Sequence, residues 1–166
     1  MPDELVDVVN EKDEIIGQAM KSKCHAEGLW HRISCNLIFN SEGKIWLQTR
    51  AKNINSGGKL DYSASGHVKR GDTYEQAAQR EIQEELGIST ELKLLFKPIP
   101  EIYNKINHMI ALFTGKHDGP FKIQEEELEK VEAYSIEAIK KMIETNPERF
   151  TTGFKIGFKK YLELQK

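Results

Sequence analysis

Cysteine is nearly absent: Cys24 and Cys35 are the only two among 166 residues. They lack metal-ligand spacing and point to a reducing compartment rather than a disulfide scaffold. Basic runs are missing as well, and the net charge is only −2, so no arm suited to nucleic acid is present. No apolar stretch approaches the length of a membrane span. Residues Met1 to Asn10 carry Asp3, Glu4 and Asp7 without a long apolar run, which argues against a secretory signal. Gly57-Gly58 has no Gly-Lys-Ser/Thr after it, too little for a phosphate-binding P-loop, so a flexible connection is favoured there over a phosphate cradle. No repeat or low-complexity tract appears. These absences lead to one soluble, cytoplasmic domain over residues 1–166, with no nucleic-acid or membrane partner.

The most informative shortage is local. Between Arg70 and Lys93 the only basic residue is Arg80, against Asp72, Glu75, Glu81, Glu84, Glu85 and Glu91. The same stretch reads as a helix. Asp72 and Thr73 are good N-caps, Thr73 with Gln76 makes a capping box, and Gly87 fits the left-handed residue that closes a helix. Tyr74, Ala78, Ile82 and Leu86 form an apolar stripe. Glu81, Glu84 and Glu85 fall beside it at spacings of three and four, where each like-charge pair costs roughly 0.2–0.5 kcal/mol. Two readings follow: a solvated acidic face, or carboxylates whose missing positive charge is a divalent cation. Hard oxygen donors without a thiolate would suit Mg²⁺ or Mn²⁺ rather than zinc.

The spacing also carries a family likeness. Gly66, five residues, Asp72, seven residues, then Arg80-Glu81-Ile82-Gln83-Glu84-Glu85-Leu86-Gly87-Ile88 resembles the Nudix box over residues 66–88. Eight of nine fixed positions match; Asp72 stands where Glu is usual. The resemblance implies a Nudix-type α/β/α sandwich with a mixed β-sheet. It implies a hydrolase that cleaves a diphosphate linkage of a small molecule of nucleoside-diphosphate type. Glu81, Glu84 and Glu85 would hold Mg²⁺, with the Gly66 carbonyl as an extra ligand. Arg80 would restrain a catalytic carboxylate or brace the loop through Asp72. Glu81 is the first choice as general base, and the run Glu125, Glu126 and Glu127 offers a late-loop base or metal ligand against the bland reading of a solvated charge run. His67, directly after Gly66, is a candidate for substrate contact. A homodimer is compatible with the family.

The rest of the chain reads as a mixed α/β pattern. Leu5 to Val9 and Ile15 to Met20 form two strands, with a helical turn over Lys21 to Gly28. Ile33 to Phe39 and the stretch from Ile45 form a hairpin about Ser41-Glu42-Gly43. Leu92 to Tyr103 is extended, with Pro98 and Pro100 suiting an edge or bulge. Ile106 to Thr114 is apolar on both parities, as in a strand covered on both faces. Val131 to Tyr134 is a short strand, Ser135 caps an amphipathic helix, and Gly153 to Leu164 is a terminal helix whose aromatics pack in a core.

A second likeness runs through His31-Arg32-Ile33-Ser34, Leu37-Ile38-Phe39-Asn40 and Gln48-Thr49-Arg50, which resemble isopentenyl-diphosphate isomerase, a relative sharing the Nudix fold. His25, His31 and His67 are similar in placement to its metal histidines. Its essential cysteine corresponds to Ser65, however, and its Glu-x-Glu stretch falls near Ile106-Asn107-His108, where no carboxylate stands. Serine is a far weaker acid than a thiol. Three readings therefore remain: the Mg²⁺-dependent hydrolase, an isopentenyl-diphosphate isomerase, and a nucleotide-binding module without catalysis.

Overall fold

The computed structural model describes residues 2–166, the side chain of Lys97 excepted. The chain begins with a hairpin, β1 (Leu5–Val9) and β2 (Ile15–Met20), followed by α1 (Lys21–Glu27). Asn10 closes the hairpin turn, its side-chain oxygen accepting from the amides of Lys12 and Glu14. Gly28 ends α1 at φ 68°, a left-handed position that suits glycine. Val6, Val8 and Cys24 pack together here as a small core of their own.

The main sheet contains β3 (His31–Phe39), β4 (Ile45–Arg50), β5 (Leu60–Asp61), β6 (Ala64–His67), β7 (Lys93–Tyr103), β8 (Ile106–Lys116) and β9 (Leu128–Tyr134). Its order is β5-β4-β3-β8-β7, with β6 also on β3 and β9 on β4. β3 and β8 run parallel and the other pairs antiparallel, so the sheet is mixed. The β3–β4 hairpin pairs only at Ile38–Trp46 and Phe39–Ile45 before β4 turns away and β6 takes over the edge of β3. β7 is the outer strand, and its register slips between Leu94 and Ile99, around Pro98. A proline has no N–H for the ladder, so the edge and the bulge absorb it.

Helices cover both faces. α2 (Tyr74–Leu86) lies on one, α3 (Ile136–Thr145) and α4 (Thr152–Leu164) on the other. The two parities of β8 divide accordingly: Ala111 and Phe113 join Ile82 and Leu86 of α2, while Ile110 and Leu112 join Ile139, Phe154 and Phe158. Ile82, Leu86, Phe154 and Ile110 are fully buried, each contributing about 1.5–3 kcal/mol by leaving water. The architecture is the α/β/α sandwich with a mixed sheet that the resemblance implied. Among the described residues no helix is long and apolar enough to cross a membrane.

Candidate active site

α2 is positioned by its own ends. Thr73 and Gln76 make the reciprocal capping box, and Gly87 closes the helix at φ 67°. Asp72 is thereby free for Arg80, which pairs with it and also donates to the His67 carbonyl at 3.1 Å. The same guanidinium lies 3.9 Å from Glu81. Arg80 thus ties the box loop, the end of β6 and the first catalytic-candidate carboxylate together.

Glu81, Glu84 and Glu85 all line one cavity of about 320 Å³, together with Gly66. Glu81 lies so close over Gly66 that a Cβ there would sit 2.2 Å from its carboxylate. Any larger residue there would make the Glu81 carboxylate move aside. Burial, then the charge of Glu84, pushes the Glu81 carboxyl up to about 8. Glu85 is pushed well up by burial and by Glu81.

The helical wheel sets Glu84 and Glu85 together off the core face, and for Glu85 this needs correction: it is only 6 % exposed. Its Oε1 accepts from the Ser65 amide at 3.0 Å and the Gln48 side chain at 3.4 Å. A carboxylate reaching across to β6 and β4 is hidden by those strands, which a helical wheel does not represent. Glu84 is exposed, as read.

The late acidic run splits. Glu127 faces the cavity with its Oε1 buried and without a partner, while Glu125 and Glu126 are exposed. The segment is strapped to the C-terminus of α2 by Lys122 N–H to Leu86 O and Gln124 N–H to Glu85 O. The loop before β5 also borders the cavity through Asn55 and Ser56. It is more ordered than a flexible connection: Gly58 N–H bonds to Arg50 O and Gly57 N–H to Ile54 O. A Cβ on Gly57 would meet Lys52 O at 2.5 Å, so glycine permits a close backbone approach rather than slack.

Four histidines converge beside the same cavity, which His25, His67 and His108 line. His25 on α1, His31 on β3, His67 on β6 and His108 on β8 each bring a ring nitrogen within 4.8 Å of the others. His31 Nδ1 donates to Leu29 O at 2.9 Å, which leaves its Nε2 as a bare acceptor, 3.2 Å from His25 Nε2. His67 Nε2 and both ring nitrogens of His108 are buried without partners. An unpaired buried polar atom costs about 1–3 kcal/mol. Burial pushes His31 down to about 3 and His67 well below the usual range, so these rings are neutral donors of lone pairs. His67 had been singled out for substrate contact, and with His25 and His31 it had been matched to the isomerase metal histidines. His108 was missed, because only the parallel register His31–His108 brings β8 to this place.

The same registers supply two groups that the isomerase likeness lacked. Cys35 stands directly opposite Ser65, and Glu101 opposite His108. Both are buried and both line the cavity. Glu101 Oε1 is 3.5 Å from His108 Nδ1, and its other oxygen would lie 3.1 Å from a Cβ on Gly153, in the first turn of α4. Burial, then the Glu101 charge, holds the Cys35 thiol well above its usual range.

Comparison with known proteins places this geometry. The family model described as "NUDIX domain" matches residues 29–154. An isopentenyl-diphosphate Delta-isomerase from Serratia proteamaculans is 34% identical over 161 residues, 92% of this chain and 88% of that protein. The uncharacterized Nudix hydrolase YfcD of Escherichia coli K12 is 34% identical over 132 residues, covering 77% of this chain and 72% of YfcD. Among solved structures, a Deinococcus radiodurans protein superposes with TM-score 0.76 at 24% identity, covering 86% of this chain and 90% of that one. The MutT protein of Methanosarcina mazei superposes with TM-score 0.70 at 20% identity, over 82% and 96%.

Proposed function

The chain belongs to the Nudix family, and on that premise we propose that it hydrolyses the diphosphate linkage of a small molecule of nucleoside-diphosphate type with Mg²⁺ bound at Glu81, Glu84 and Glu85. The observation that carries this reading is the pair Glu81, half-buried, and Glu85, buried, whose carboxyls burial and neighbouring negative charge push up although Arg80 lies 3.9 Å from Glu81. Their oxygen donors suit a hard dication, and Gly66 leaves the space for Glu81 to turn toward one. When bound, Mg²⁺ neutralises the diphosphate and lowers the pKa of a water molecule.

The chain's own residues do the rest. Glu85, anchored by the Ser65 amide and Gln48, holds a fixed orientation. Arg80 braces the box through Asp72 and the His67 carbonyl. Water adds to phosphorus, its proton passing to a carboxylate, and the bridging P–O bond breaks to release two phosphate-containing products. Glu81 is the first candidate to take that proton, and Glu127, with its unpartnered oxygen in the cavity, is the second. The test is a panel of diphosphate compounds with Mg²⁺ and a phosphate readout. Mg²⁺-dependent cleavage that fails in Glu84→Gln supports the reading; tight binding without cleavage across the panel replaces it with a non-catalytic module.

A second reading is favoured by one observation. Cys35 and Glu101 are a buried thiol and carboxylate facing the same cavity, one strand across from the positions where the isomerase pattern has its acid and base. Such a pair could add and remove protons on an alkenyl diphosphate. Incubation with isopentenyl diphosphate separates the two: dimethylallyl diphosphate formed by the native chain and lost in Cys35→Ala would establish the isomerase.

A further inference from the structure

β2 is an edge strand without the usual protection. Its residues, Ile15-Ile16-Gly17-Gln18-Ala19-Met20, include no charge and no proline, and all but Ala19 are exposed. Among the described residues only β1 borders it. We propose that two copies of this chain dimerise by pairing their β2 edges antiparallel about a two-fold axis at Gln18, which joins the two N-terminal hairpins into one four-stranded sheet. The proposal goes beyond the hydrolase reading and does not depend on it.

Three observations carry it. The first is the contrast with β7. An open row of backbone groups invites another strand, and proteins blunt such edges with lysine, proline or bulges. β7 carries Lys93, Pro98 and Pro100, and its register slips twice. β2 has one bulge, at its turn end opposite Val8 and Val9, and its ladder from Gly17 to Met20 is regular.

Second, the backbone and the side chains select one register. Lys21 N–H bonds to Glu4 O, which continues the β1 ladder. Hydrogen-bonded and non-bonded pairs alternate along such a ladder, so Gly17 and Ala19 bond to β1 while the backbone groups of Gln18 and Met20 point outward. A two-fold antiparallel pair sets one outward-facing residue opposite its own copy, and Gln18 holds that place near the middle of the strand. Ile16 then meets Met20 of the second copy. Both lie on the solvent parity, because Ala19 on the other parity packs against Val6, Val8 and Cys24. Ile16 is 66 % exposed, Met20 40 %, and Leu5, opposite Met20 on β1, 37 %. Paired in this way they form one apolar row across the joined sheet, the kind of cross-strand contact that stabilises a ladder.

Third, the two ends of β2 carry opposite charge. The turn before it holds Glu11, Asp13 and Glu14 against Lys12, and the helix after it opens with Lys21 and Lys23. Antiparallel pairing brings the acidic turn of each copy beside the basic first turn of α1 in the other, twice by symmetry. Parallel pairing would set like charges together. Complementary charge of this kind fixes orientation more than affinity. So short an edge makes a small interface, and association on the order of 10 µM follows.

The test uses the full chain. Sedimentation velocity from about 1 to about 200 µM should show the mass rising from one chain to two. Gln18→Lys and Gln18→Glu each place like charges opposite one another on the two-fold axis. Each should weaken dimerisation by at least about tenfold, and an equimolar mixture of the two should restore it. Circular dichroism checks that both variants fold. Leu94→Lys, on the exposed β7 edge, should leave the dimer intact. Hydrogen exchange at high concentration should show the Gln18 and Met20 amides gaining protection. A single-chain mass throughout, a dimer that survives in both Gln18 variants or is lost in Leu94→Lys, a mixture that stays monomeric, or amides indifferent to concentration would each overturn the proposal.

Discussion

If Mg²⁺ binds at Glu81, Glu84 and Glu85 as proposed, the metal-free protein should lose the stability that Glu81 contributes as pH rises. Glu81 has its carboxyl pushed from 4.5 up to about 8, with burial the main cause. A folded-state value above the unfolded one means that the native chain holds its proton more tightly. The Glu81 contribution to stability is therefore fully present below about 4.5 and is lost progressively as pH climbs toward 8. At about 1.36 kcal/mol per pKa unit, the full window corresponds to at most about 5 kcal/mol. Side-chain movement toward the open cavity reduces this, so a loss of about 2–4 kcal/mol between pH 5 and 8 is expected. The histidines act oppositely: His31, held down to about 3, destabilises the fold as pH drops below 6.5. The Glu81 contribution is isolated by subtracting the profile of Glu81→Gln, which cannot ionise. Urea unfolding at half-unit pH steps, with and without saturating Mg²⁺, measures it. In Mg²⁺ the difference profile should flatten, since the cation replaces the proton. Parallel native and Glu81→Gln profiles in the metal-free protein, or a slope indifferent to Mg²⁺, would refute the reasoning.

Three further outcomes follow from the cavity. Glu84→Gln should lower kcat by at least about 100-fold while leaving the melting temperature nearly unchanged, because this side chain is exposed; steady-state kinetics with calorimetry checks both. Glu127→Gln should slow turnover and Glu125→Gln should not, since only Glu127 faces the cavity; equal effects in parallel assays would remove the late loop from the chemistry. Cys35→Ala should leave hydrolysis within about twofold while costing roughly 1–2 kcal/mol of stability, because the thiol is buried in the core cluster shared with α4 as well as lining the cavity; a large loss of rate would transfer weight to the isomerase reading.

The legible part of this molecule was the local part. Thr73, Gln76 and Gly87 define α2 within one turn at each end, and the structure reproduces both caps. Ser135 caps α3 in the same way, accepting from the Ala138 amide. The apolar parities of β8 foretold a strand covered twice, and α2 and α4 do cover it. What misled was the step from one helix to its surroundings. Glu85 lies next to Glu84 in sequence, yet Ser65 and Gln48 bury one and leave the other in solvent. The Asn53–Gly58 stretch looked slack, whereas Gly57 is there for contact with Lys52.

Sequence alone determined the acidic helix, its caps and the family, because those depend on residues three or four apart whose geometry is set by the helix itself. Tertiary structure decided the rest of the cavity. His108 meets His31, Cys35 meets Ser65, and Glu101 meets His108 only through strand registers. A register that joins β3 to β8 in parallel is set by the packing of two cores on opposite faces of the sheet, and a shift of one residue would turn every one of these side chains to the other face.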